Sequence, residues 1–204
     1  MIEYKIPKSA VIFEEEIKKS RFITYLQHVE NLTQAQAKAF WQQIKSQHPQ
    51  ARHHCWATIA GAPNDSQQFG FSDDGEPAGT AGKPMLSALQ GSKIGEICAV
   101  VVRYYGGILL GTGGLVRAYG NGVQQALTLL ETAVKVQRQS YKVHCDYSHI
   151  NALQLLCEKQ DVMIINQHFV DRVAFELGIR DDKLTAFEQA LIERFSGQLQ
   201  LERE

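Results

Sequence analysis

Residues 97–102, Ile-Cys-Ala-Val-Val-Val, form an unbroken apolar run rich in β-branched side chains and too short for a helix. Such a run predicts a strand covered on both faces, and therefore a central one. Leu115, Tyr119, Val123, Ala126, Leu127 and Leu130 then recur at helical spacing, so a long amphipathic helix follows. Between them lies Arg103-Tyr104-Tyr105-Gly106-Gly107-Ile108-Leu109-Leu110-Gly111-Thr112-Gly113-Gly114, an arginine, two aromatics and five glycines at one strand-to-helix joint. Glycines let backbone N–H groups line a concavity, and a helix N-terminus adds partial positive charge, so the joint suits an anion such as a phosphate.

The same reading predicts strands over 10–15 and 22–29, then a helix capped by Thr33 and running to about Gln47 with Ala37, Phe40, Trp41 and Ile44 on its apolar face. Strands over 55–60 and 67–72 and a short helix over 84–90, with Pro84 in its first turn, precede the central strand. The tail has another rhythm. A strand over 141–147, a helix capped by Ser148, strands over 162–169 and 172–177, a helix carrying Leu184, Phe187, Leu191 and Phe195, and a strand over 198–202 give the order β-α-β-β-α-β. That is the ferredoxin-like pattern, two helices over one face of a four-stranded antiparallel sheet.

Charge and glycine mark the same division. Residues 1–142 hold 15 Lys/Arg against 11 Asp/Glu, a net of +4, whereas 143–204 hold 6 against 11, a net of −5. Of the 16 glycines, 14 fall between Gly61 and Gly122. The expected organisation is α+β with domains at 1–138 and 139–204. No stretch has the uncharged apolar length of a membrane span, and the first residues lack a signal-peptide core, so a cytoplasmic protein without a membrane partner is expected. Cys55, Cys98, Cys145 and Cys157 are widely spaced and form no CxxC pair, which argues for reduced, buried thiols without disulfides, zinc or another metal. No cofactor is expected either.

Asp73, Asp74 and Glu76 surround Gly75, and three carboxylates so close suit a hard cation or a general base. They equally suit a turn whose Asp side chains satisfy local N–H groups. Gly79-Thr80-Ala81-Gly82-Lys83 reads as a second anion cradle, but Pro84 follows Lys83, so it is not a nucleoside-triphosphate loop. Residues 111–116 carry Val116 where a dinucleotide fingerprint needs its third glycine. The anion-binding candidates are Arg103, Tyr104, Gly106, Gly107, Gly111, Thr112, Gly113, Gly114 and Lys83, with Arg117 placed in the first helical turn. The alternative for the arginines is a salt bridge to the loop of Asp73, Asp74 and Glu76. Tyr104 and Tyr105 suit base stacking or a core. In residues 51–57, alternation puts His53, Cys55 and Ala57 on one strand face and His54 and Trp56 on the other, which favours a structural role.

Four segments together resemble the IMPACT family, in its bacterial YigZ-type members: Lys19-Ser20-Arg21-Phe22, residues 51–57, residues 73–84 and residues 101–111. The resemblance covers essentially the whole chain. It implies a first domain with the α/β fold shared by a ribosomal-protein domain, elongation factor G domain IV and RNase PH, and a second similar to the last domain of elongation factor G. Those relatives work on RNA or the ribosome. The resemblance brings no catalytic set with it. The leading expectation is a non-enzymatic regulator of translation that binds RNA or a ribosomal surface weakly and in a salt-sensitive way, through the Arg103 to Arg117 loop. Residues 99–142 hold five basic side chains against one acidic, a modest excess. The alternatives are a hydrolase or transferase for a phosphorylated or nucleotide substrate, using Asp73, Asp74 or Glu76, and a module that docks a protein partner through its C-terminal domain.

Overall fold

The structure, a computed structural model, describes residues 3–29 and 34–203. The chain divides into two compact units, one spanning Tyr4–Lys135 and one that joins Glu3 to the residues from Val136 onward. The first unit is built on a five-stranded sheet in the order β2-β3-β6-β4-β5, from β2 (Val11–Ile17), β3 (Ser20–His28), β4 (His53–Ile59), β5 (Phe69–Ser72) and β6 (Ile97–Tyr104), with every pairing antiparallel. The apolar run is the middle strand, as expected, and Ile97 to Val102 are fully buried. The β2–β3 hairpin closes on Lys18 and Lys19, both with positive φ, between the paired Ile17 and Ser20. That is the two-residue turn whose twist matches the strands, although neither residue is glycine.

Alternation along the strands splits the core into two layers. Phe22, Leu26, Cys55, Ala57, Ile59, Ala99 and Val101 face α2 (Gly82–Ser92) and α3 (Thr112–Thr128). Ile23, Cys98, Val100 and Val102 face α1 (Gln34–Gln47), whose Ala37, Phe40 and Ile44 pack on them with Trp41 and Trp56. The division of residues 51–57 between the two faces is therefore the expected one. The Thr33 cap lies outside the described residues. A two-stranded sheet of β1 (Glu3–Pro7) and β7 (Thr132–Val136) was not anticipated, because short half-exposed strands carry little hydrophobic signal.

The second unit follows β8 (Gln139–Cys145), α4 (Ile150–Lys159), β9 (Met163–Phe169), β10 (Val173–Ile179), α5 (Leu184–Phe195) and β11 (Glu202–Arg203), with sheet order β11-β8-β10-β9 and every pairing antiparallel. Val143, Cys145, Val173, Phe175, Leu177 and Ile179 on the sheet bury Leu153 and Cys157 of α4 and Phe187 and Leu191 of α5. This is the expected β-α-β-β-α-β order. Two details differ. Ser148 does not cap α4 but sits inside a 3-10 turn, Tyr147–His149, that leads into it, and the last strand shortens to two residues while Leu199 and Leu201 still pack on the core. Ser196 and Gly197, both with positive φ, end α5, and Gly197 N donates to Ile192 O at 3.1 Å. Among the described residues no helix is long and apolar enough to cross a membrane.

Candidate functional site

Arg103 lies near the end of β6 on the face that meets α2 and α3, where Phe22 and His53 are its register partners on β3 and β4. Its Nη1 donates to Glu76 Oε1 at 2.7 Å, and Tyr119 Oη of α3 donates to the same oxygen at 2.7 Å. The Arg103 and Glu76 side chains are 7% and 4% exposed. Removing either charge would leave the other buried and unpaired, so this pair pins the carboxylate loop to the central strand. The alternative reading of the arginine, a salt bridge into the acidic loop, is thus the geometry seen. The guanidinium also lies over the rings of Phe22 and Tyr105, at 5.5 and 5.6 Å from their centroids. Its Nε is buried without a hydrogen-bond partner among the described residues.

A cavity of about 460 Å³ opens beside this pair. Arg103, Glu76 and His53 meet there with Gly111 and Thr112 at the start of α3, and Tyr105, Leu109, Leu115 and Pro77 supply apolar wall. Gly111, at φ +74°, occupies the N-cap position of α3 and contributes no side-chain cap. The first N–H groups of that helix therefore receive no anion from the capping residue. Arg52, an exposed residue, adds a second cation to the lining. His53 Nδ1 donates to the Asp74 carbonyl at 2.9 Å, which places the neutral ring's lone pair on Nε2, 4.0 Å from Glu76 Oε1.

The second glycine-rich turn is arranged differently. Asp73 Oδ1 accepts from Ala81 N at 3.0 Å and Gly82 N at 2.8 Å, and its Oδ2 accepts from Gly79 N at 2.8 Å. Burial alone would raise the Asp73 carboxyl, but these three bonds outweigh it and hold the group below the usual carboxylate range. The cradle predicted at 79–83 thus holds an anion that belongs to the chain. Asp74, at φ +39°, accepts from His54 N at 2.7 Å and lies 3.6 Å from Lys45 Nζ. All three carboxylates are therefore bonded by the fold, and Glu76 is the one of them that also lines the cavity. Among the described residues no cluster of three His, Cys, Asp or Glu side chains is placed to hold a metal ion.

The remaining candidates disperse. Arg117 lies in the second turn of α3, not the first; its Nε donates to Gly113 O at 3.2 Å, and it lines a separate depression with Lys18 and Gly114. Leu110 stands between that depression and the cavity of Arg103. Tyr104 faces the opposite side of the sheet, with its Oη 2.8 Å from His48 Nδ1, while Tyr25 Oη lies 2.6 Å from His48 Nε2. Lys83 is an exposed residue of the first turn of α2. Gly106 is required by close approach, because a Cβ there would lie 1.9 Å from Lys19 O, and its N donates to Ser20 Oγ at 3.2 Å. Gly107 turns the chain at φ +84°. Arg52, His53 and Tyr119 carry no site signal in the sequence; the one clue is that His53 shares a strand face with Cys55, toward the helices. All four cysteines are free and buried. Burial pushes the thiols of Cys98 and Cys157 up to about 12 and that of Cys55 higher, which leaves them protonated and unreactive near neutrality.

A basic, glycine-looped α/β unit followed by a ferredoxin-like unit defines the class of protein, and comparison with known proteins gives the family. Residues 18–127 match the Impact N-terminal domain and residues 143–198 match a domain of unknown function, DUF1949. An IMPACT family member of Haemophilus influenzae is 65% identical over 199 residues, covering 98% of this chain and 96% of that protein. The IMPACT family member YigZ of Escherichia coli is 52% identical over 201 residues, covering 98% of both. A crystal structure described as that of a hypothetical protein superposes with a TM-score of 0.78 at 51% identity, covering 100% of this chain and 98% of the other. The chain belongs to the IMPACT family.

Proposed function

We propose that the protein acts in translation in the cytoplasm, by binding RNA or a ribosomal surface through the unit Tyr4–Lys135. The observation that carries this reading is the start of α3, capped by a glycine without a side chain, beside a buried arginine whose Nε has no partner among the described residues and an exposed Arg52. Backbone N–H groups and guanidinium groups together are the standard chemistry for a phosphate. The unit holds 13 Lys/Arg against 10 Asp/Glu, an excess too small for tight non-specific binding, so association is weak and salt-sensitive. Co-sedimentation with ribosomes and separated subunits at low and physiological salt tests it. Saturable binding that Arg52→Ala diminishes and Arg117→Ala leaves unchanged is expected; absence of binding at either salt rejects the reading.

One observation favours a second reading, an enzyme for a phosphorylated or nucleotide substrate. His53 Nε2 and the Glu76 carboxylate share the cavity 4.0 Å apart, within reach of a ligand that its cations would hold. Turnover of a phosphate ester that His53→Ala abolishes would put this reading first.

A further inference from the structure

We propose that the cavity at the start of α3 binds a nucleoside monophosphate, with the phosphate on the helix N-terminus and the base against the apolar wall. The inference rests on the RNA-binding reading and narrows it to one nucleotide unit. Three features carry it. The anionic end is met by the N-terminus at Gly111 and Thr112, by the exposed Arg52, and by Arg103, which lines the cavity with a side chain 7% exposed. Held by Glu76 and lying over the rings of Phe22 and Tyr105, this guanidinium is a preorganised positive group at the cavity wall.

The rest of the cavity does not suit a bare ion. Leu109, Leu115, Pro77 and Tyr105 line it, and Tyr105 is 43% exposed with the Arg103 guanidinium over its ring. A flat aromatic body would cover that wall, as bases do on aromatic platforms. The volume, about 460 Å³, falls in the range of pockets that enclose a small organic ligand, roughly 300–1,000 Å³, and far exceeds a lone phosphate. The α2 cradle offers no competing site, since Asp73 fills it.

A free nucleotide and the 5′-phosphorylated end of an RNA present the same chemistry. Calorimetric titration of the full chain with AMP, GMP, CMP, UMP, adenosine and inorganic phosphate, and with RNA octamers bearing 5′-phosphate or 5′-hydroxyl ends, separates these sources. At least one monophosphate or the 5′-phosphorylated octamer binds saturably, and adenosine and phosphate bind at least about tenfold more weakly. Thr112→Glu, which puts an anion at the helix start without disturbing a buried group, weakens binding at least about tenfold without lowering the melting temperature. Arg117→Ala changes neither. Tighter binding of the free nucleotide marks a metabolite site, and tighter binding of the phosphorylated octamer marks an RNA-end site. Failure of every monophosphate and of the octamer, or undiminished binding by Thr112→Glu, overturns the inference. Ribosome co-sedimentation that persists without nucleotide binding overturns it alone; nucleotide binding without ribosome association overturns the ribosomal reading and leaves the pocket's ligand standing.

Discussion

Helices α2 and α3 both begin in a glycine-rich turn on the same face of the same sheet, yet their N-termini are treated differently. At α2 the Asp73 carboxylate takes the N–H groups of Gly79, Ala81 and Gly82, so an anion from six to nine residues upstream closes the site. At α3 the capping residue is Gly111, which has no side chain to cap it, and the helix opens on the cavity of Arg103 and Glu76. Glycine content therefore does not distinguish a structural anion cradle from a binding one. The presence of a carboxylate within the chain's own reach does. The α2 turn is closed by the chain's own carboxylate, and the α3 turn is where the proposed nucleotide would sit.

Removing the wall of the open site gives the largest expected effect. Glu76→Gln leaves Arg103 buried without its counter-charge and costs about 3–5 kcal/mol in urea unfolding. A loss below about 1 kcal/mol would show that water reaches the pair and that the low-dielectric account is wrong. Asp73→Ala empties the closed site, removing three charge-assisted bonds for about 2–4 kcal/mol. Nucleotide binding measured under folded conditions stays unchanged in that variant, and a change would mean that the two helix starts are coupled.

Acid sharpens the contrast by a smaller amount. Asp73 is held below its ordinary value, and so is Glu96, where burial is outweighed by bonds from Lys135, His28 and Tyr4. Both groups bind protons more readily in the unfolded chain, so stability rises with pH through their titration range. Their contribution is complete above about pH 4, the ordinary carboxylate value, and is lost as pH falls through the lower folded values. Unfolding free energies from pH 7 to pH 3 follow that decline, and Asp73→Asn has a shallower slope. The smallest effect is a gain: Thr112→Glu supplies the anion that α3 lacks and raises stability by about 0.5–1 kcal/mol, seen as a higher melting temperature.

The elements that carry a local period were legible in both units, whereas the short, half-exposed β1 and β7 were not. Ile97 to Val102 reads as a covered strand, and Leu115 to Ala126 as one helix face, from neighbours alone. The candidate site was legible only in outline. Residues 103–114 mark the right joint, but Arg117 faces another depression and Tyr104 the opposite side of the sheet. His53 and Arg52 enter because His53 pairs with Arg103 across β4 and β6, about a quarter of the chain apart. The sheet of β1 and β7 escaped because its strands are short and half-exposed and carry little hydrophobic signal, and their partnership spans most of the first unit.

The order of residues was enough to settle the two-part organisation, the central strand, the ferredoxin-like order and the family, since propensity, hydrophobic period and contiguous motifs are local properties. Tertiary structure decided which of two similar glycine turns is filled and which is open. That choice depends on a few ångströms between Asp73 and the start of α2, and on Glu76, Arg103 and Tyr119 converging on one buried oxygen from three different elements. Neither distance exists until the sheet has paired and the helices have packed.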